Sequence, residues 1–221
     1  ERAELVAHAR LLIQTASATA SGLPQIQPGH LAGRLISLQQ RYRHLAAGGW
    51  RTLSAELPGL PRFDQWKPAN ARARFDKPGR SIKYEAPPSF PDGGGLLLPR
   101  VPERHWRLIC KRQELPFPDA ATRAAGFWAW ALAAPELQLV VCEGWKKALA
   151  AITAGHAAVA LPGVQMGRRV AGDGTERLIA ALQLLATPGR HWLIAFDAEA
   201  KLNTAAKVRA AAGALARTLR S

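Results

Sequence analysis

The C-terminal third of this sequence predicts an α/β fold, a parallel β-sheet flanked by helices, on three observations. Strand-like and helix-like segments alternate from residue 137 to the end. The first strand-like run, Leu137-Gln138-Leu139-Val140-Val141-Cys142, is apolar almost throughout, the mark of a strand covered on both faces. Three of the elements close on breakers: Gly155, Pro162-Gly163 and Pro188-Gly189. A β-α-β-α-β-α order implies right-handed crossovers within one parallel sheet.

The elements follow in chain order. Residues 1–20 predict a helix, with Leu5, Ala9, Leu12 and Ala16 at helical spacing and Gly22 and Pro24 to end it. Residues 28–47 predict a second, striped by Leu31, Leu35, Leu38, Tyr42 and Leu45 and stopped by Gly48-Gly49. From 57 to 102 dense prolines and glycines leave room only for short extended pieces, at 81–85 and 96–99. Residues 106–111 read as a strand, and 119–134 as a helix with Asp119 at its N-cap. Beyond Pro135 come a strand at 137–142, a helix at 145–154, a strand at 157–161, a helix at 177–185, a strand at 191–196 and an Ala-rich helix at 203–219. This divides the chain into an N-terminal helical region (1–56), a basic Pro/Gly-rich region (57–134) and the α/β domain (135–221).

Thirty Lys and Arg face sixteen Asp and Glu, a net charge of +14. Such an excess favours a polyanionic partner through Coulomb steering and counterion release. No run of eighteen apolar residues is present, so no transmembrane helix and no membrane partner are expected. The two cysteines, Cys110 and Cys142, have no metal-ligand spacing. A cytoplasmic setting fits, and the first residue, Glu1, points to a piece of a longer polypeptide.

The basic excess is dense between Arg62 and Lys83, where Lys67, Arg72, Arg74, Lys77, Arg80 and Lys83 are interleaved with Phe63, Trp66 and Phe75 and followed by Tyr84. Cations neutralise phosphates and aromatic faces stack on bases, which suits single-stranded nucleic acid. A basic loop pinned to the core by its aromatics reads equally well.

The acids carry the chemistry. Functional groups of open parallel sheets gather at the carboxyl ends of strands. Glu143 follows the strand ending at Cys142, and Asp197 and Glu199 follow the strand ending at Phe196. Three carboxylates on one sheet edge repel unless a cation lies between them; magnesium or manganese, with oxygen ligands, retained waters and a bridge to phosphate, suits the place. Lys146 and Lys147 open the helix beside Glu143, where they either meet phosphate oxygens or form an exposed helix face; Lys201 and Asn203 follow the second acidic pair, and Lys201 either contacts a nucleotide or balances charge. Arg168 and Arg169 fall on a Gly-rich stretch expected to be a loop near the same edge.

Three segments together resemble a known family: Cys142-Glu143-Gly144-Trp145-Lys146-Lys147-Ala148-Leu149, Ala160-Leu161-Pro162-Gly163-Val164 and Phe196-Asp197-Ala198-Glu199. They are similar to the TOPRIM domain, a Rossmann-like fold of bacterial primases, topoisomerases, recombination mediators and some nucleases. The resemblance is nearer to TOPRIM-like domains in replication proteins of plasmids, phages and integrated mobile elements. Upstream, Trp66-Lys67-Pro68-Ala69-Asn70-Ala71-Arg72 and Ile82-Lys83-Tyr84-Glu85-Ala86-Pro87 also resemble pieces that precede the domain in those proteins. Glu199 departs from the family pattern, which carries Asp there.

The resemblance implies a primase or primase-like nucleotidyltransferase of a mobile genetic element. Glu143 would act as general base or metal ligand, and Asp197 and Glu199 would hold magnesium or manganese. Single-stranded DNA would be the template, nucleoside triphosphates the substrates, and a helicase domain or protein the working partner. A TOPRIM nuclease and a non-catalytic nucleic-acid-binding module are the two alternatives, and fold alone does not decide among them.

Overall fold

The computed structural model describes residues 42–73, 79–87, 95–198 and 200–220. The helix expected at 1–20 and most of that expected at 28–47 lie outside the described residues, as do Arg74, Lys77 and Glu199. The described chain forms two compact units, one from 42–51 with 66–87, the other from 52–65 with 95–220.

In the larger unit, β3 (Leu139–Glu143) is the central strand of a parallel sheet, between β4 (Ala158–Leu161) and β7 (Trp192–Ala195). Val141 stands opposite Val159 on one side and Ile194 on the other. The period-two alternation of strands sorts their apolar residues into two faces. Leu139, Val141, Val159 and Leu161 pack on one side with Leu182, Leu185 and Leu215. Val140, Cys142, Ala158 and Ala160 pack on the other with Ala148, Ile152, Phe63 and Leu97. β3 and β4 are therefore buried on both faces, as their continuous apolar runs require. The antiparallel exchange between Leu97 and Ala160, N–H to carbonyl at 2.9 Å each way, covers the outer edge of β4.

The helices are α1 (Glu103–Arg112), α2 (Ala120–Ala124), α3 (Phe127–Ala133), α4 (Trp145–Thr153), α5 (Ala180–Leu185) and α6 (Leu202–Arg220). Arg190 is buried and donates to the carbonyls of Leu137 (2.8 Å) and Ala131 (2.5 Å), tying the start of β7 to the segments before β3. Among the described residues no helix is long and apolar enough to cross a membrane.

Three local expectations are corrected. Residues 106–111 are helical, because Trp106, Ile109 and Cys110 share the buried face at helical spacing while Leu108 stays 40% exposed. The helix expected over 119–134 is two: Asp119 does cap α2, accepting from the Thr122 N–H at 2.7 Å, but Gly126 at φ +92° separates α2 from α3. The stretch before α5 is neither loop nor helix but a hairpin, β5 (Arg168–Val170) against β6 (Glu176–Leu178). Its turn is built by Asp173, whose Oδ1 accepts from the Thr175 N–H (2.9 Å) and hydroxyl (2.6 Å), and by Gly174 at φ +79°.

The smaller unit carries β1 (Gly49–Arg51) antiparallel to β2 (Trp66–Pro68), beside a 3-10 helix, Arg43–Ala47, that stops at Gly48. Trp66 exchanges backbone hydrogen bonds with Glu85 (2.8 and 2.7 Å), which adds the 81–85 segment to this ribbon.

Candidate active-site edge and candidate nucleic-acid interface

Both acidic positions fall at the carboxyl edge of the sheet. Glu143 is the last residue of β3, half-buried, with Leu161 opposite it on β4. On the other side Cys142 stands opposite Ala195, so Glu143 lies one residue past that register and Asp197 two. Neighbouring strands are about 4.8 Å apart, so the register places Glu143 and Asp197 after adjacent strands at the same end of the sheet.

The strand–helix turn fixes how this edge is exposed. Gly144 takes φ +84°, a conformation that costs a side-chain-bearing residue, and its N–H donates to the Leu161 carbonyl at 2.9 Å. α4 thus starts immediately above the sheet edge, with Trp145, Lys146 and Lys147 in its first turn. Lys147 donates to Oδ2 of Asp197 in an ion pair whose side chains are 43% and 45% exposed. Burial raises the Cys142 thiol above its ordinary value and Lys147 only partly offsets this, so the thiol beneath the edge stays protonated and inert.

Lys201 and Asn203 are exposed at the start of α6, and the Lys201 carbonyl accepts from the N–H groups of Thr204 and Ala205 at 2.9 Å. Lys146 is exposed as well. Among the described residues no group of three or more His, Cys, Asp or Glu is arranged to hold a metal ion. The third expected ligand, Glu199, lies outside the described residues. The donor chemistry of the two acids fits magnesium or manganese: hard oxygen donors, one or two carboxylates, with water and phosphate supplying the rest.

Two arginines of the hairpin are engaged locally. Arg168 pairs with Glu176, and Arg177 with Asp173 at 2.6 Å. Asp173-Gly174 between short apolar-bearing runs is the sequence signal for this hairpin.

In the smaller unit the expected nucleic-acid-binding residues separate into two kinds. Arg72 is committed to structure: its Nε and Nη2 donate to the two oxygens of buried Glu85 at 2.6 and 3.1 Å, and that bond raises its own pKa. His44 Nε2 lies 3.1 Å from the same carboxylate. Lys67 is half-buried, while Arg80 and Lys83 are exposed. Tyr84 packs edge-on against Trp50, ring centres 5.8 Å apart, and Trp50 stands opposite Lys67 in the β1–β2 register. Sequence reasoning passed over Trp50 and the exposed Arg51 that follows it; Trp50-Arg51 just after Gly48-Gly49 was the available signal.

Residues 127–221 match the family described as Domain of unknown function (DUF3854). An uncharacterized protein of the cyanobacterium Picosynechococcus is 33% identical over 193 residues, which cover 81% of this chain. The chain spans 18% of that relative's length. No solved structure matches.

Proposed function

We propose that this chain is a primase-like nucleotidyltransferase that joins nucleotides on single-stranded DNA as part of the replication machinery of a mobile genetic element, working beside a helicase. The observation that carries the reading is the register that brings Glu143 and Asp197 to one sheet edge, beneath a helix opened by Lys146 and Lys147. The TOPRIM-like order of Glu143-Gly144, Leu161-Pro162-Gly163 and Asp197 supports it.

Asp197 and Glu199, with Glu143, would hold magnesium or manganese, which when bound neutralises phosphate charge and polarises the phosphoryl oxygens. Glu143 accepts the proton of a 3′-hydroxyl as that oxygen bonds to the α-phosphorus of a nucleoside triphosphate and pyrophosphate leaves. Lys146, Lys147 and Lys201 orient the phosphates, with Asn203 beside them. In the other unit Lys67, Arg80 and Lys83 neutralise the template backbone while Trp50 and Tyr84 offer aromatic surface to its bases.

One observation favours a second reading, a non-catalytic nucleic-acid-binding module: Asp197 already has a cationic partner in Lys147. Incubation with single-stranded DNA, labelled nucleoside triphosphates and magnesium or manganese separates the possibilities. Labelled oligomers are the expected product. Cleaved DNA would replace the proposal with a nuclease, and bound but unaltered DNA with the binding module.

A further inference from the structure

Lys147 stands in the first turn of α4, where the helix dipole disfavours a cation, and no acidic residue of that turn offsets it. Its ammonium is held there by Oδ2 of Asp197. That carboxylate is also the one a divalent ion at the sheet edge would take, so ammonium and metal compete for the same oxygen. Two cations on one carboxylate repel, and neither side chain is buried enough to lock the pair in place.

We propose that Lys147 is an exchangeable counter-ion. A divalent, oxygen-preferring cation arriving at Asp197 displaces the ammonium, and the released ammonium takes a phosphate oxygen of a nucleotide. The inference rests on the metal-dependent reading above and adds an order of loading to it. The freed ammonium lies beside the backbone N–H groups of the α4 N-terminus, which themselves favour an anion. Metal alone binds weakly, because it must displace Lys147. A phosphate that accepts Lys147 removes that competitor, so metal and phosphate strengthen each other's binding by the same factor.

The test is a titration of the full chain with Mn2+, reading free Mn2+ by electron paramagnetic resonance. Lys147→Met should tighten Mn2+ binding about fivefold, the upper range for an exposed ion pair. Lys111→Met, which removes the same charge from an exposed lysine in the last turn of α1, should change it less than about twofold on the same scale. Thymidine 5′-monophosphate should tighten Mn2+ binding to the unaltered chain and have no such effect on Lys147→Met. Equal affinity in the unaltered chain and Lys147→Met, or an equal gain from Lys111→Met, overturns the exchange alone, provided that Asp197→Asn still abolishes binding. Mn2+ bound by Asp197→Asn as tightly as by the unaltered chain overturns the exchange and the metal site together. The Lys147 variant loses only an exposed pair, and its thermal unfolding profile verifies that it is folded.

Discussion

Glu85 and Asp197 are each held by a basic side chain, and the difference between them is instructive. Glu85 is 5% exposed, receives two hydrogen bonds from Arg72, and has His44 at 3.1 Å. Asp197 is 45% exposed and is held by the single flexible ammonium of Lys147. A buried carboxylate stripped of its partners pays a desolvation cost that nothing returns, so the pair around Glu85 is permanent. An exposed carboxylate loses little when its partner leaves, because water replaces it. The same chemical pairing therefore builds structure in one unit and leaves a replaceable ligand in the other. Arg72, from the dense basic run, belongs to the first kind; Lys67, Arg80 and Lys83 remain for a partner.

The contrast can be broken most forcefully at Glu85. Arg72→Ala should destabilise the smaller unit by about 3 kcal/mol, since it leaves the buried Glu85 carboxylate without its main partner, and urea unfolding reads the loss. A loss below about 1 kcal/mol would put Glu85 in the exposed class with Asp197. Next in size is DNA binding. Replacing Lys67, Arg80 and Lys83 together by Glu should weaken single-stranded DNA binding, with the logarithmic salt slope falling by roughly 0.7 for each lost phosphate contact. Arg72→Gln should act instead on stability, and an equal change in salt slope would return Arg72 to the interface. Smaller still, Asp197→Asn should cost less than about 1 kcal/mol of folding stability, measured by the same urea titration.

The smallest expected effect is a pH dependence at His156. Burial, with Arg112 as the second cause, lowers its pKa from the ordinary 6.5. The unfolded chain therefore binds the proton at higher pH than the folded chain. This contribution is fully present above pH 6.5 and is lost as pH falls from there through the lowered folded value. Tm should be lower at pH 5.5 than at pH 7.5, and the difference should shrink in His156→Gln.

The centre of the parallel sheet was legible because β3 and β4 obey one rule. Runs such as Leu139-Val140-Val141-Cys142 are apolar at every position only when both faces are covered, and both are. The strand expected at 106–111 failed because Trp106, Leu108 and Cys110 alternate as a strand would, while Trp106, Ile109 and Cys110 also satisfy a helix. Packing of the second set settled the choice. The hairpin was missed because Arg177-Leu178 was joined to the helix that follows, although Asp173-Gly174 marks a tight turn. The placing of Glu143 and Asp197 just past strand ends was legible from the apolar runs that precede them. The ion pair of Lys147 with Asp197 was not, since a pair 50 residues apart in sequence exists only once β3 and β7 are neighbours.

The central claim is that the acids at the sheet edge perform metal-dependent nucleotide joining while the basic groups hold the DNA. Primer synthesis and single-stranded DNA affinity, measured side by side for the unaltered chain and Asp197→Ala, test it most directly. Labelled oligomers are expected from the unaltered chain with magnesium or manganese, none from Asp197→Ala, and DNA affinity equal or slightly higher in the variant. Undiminished synthesis by Asp197→Ala would contradict it, as would no synthesis by the unaltered chain with either metal even when joined to its relative's flanking regions.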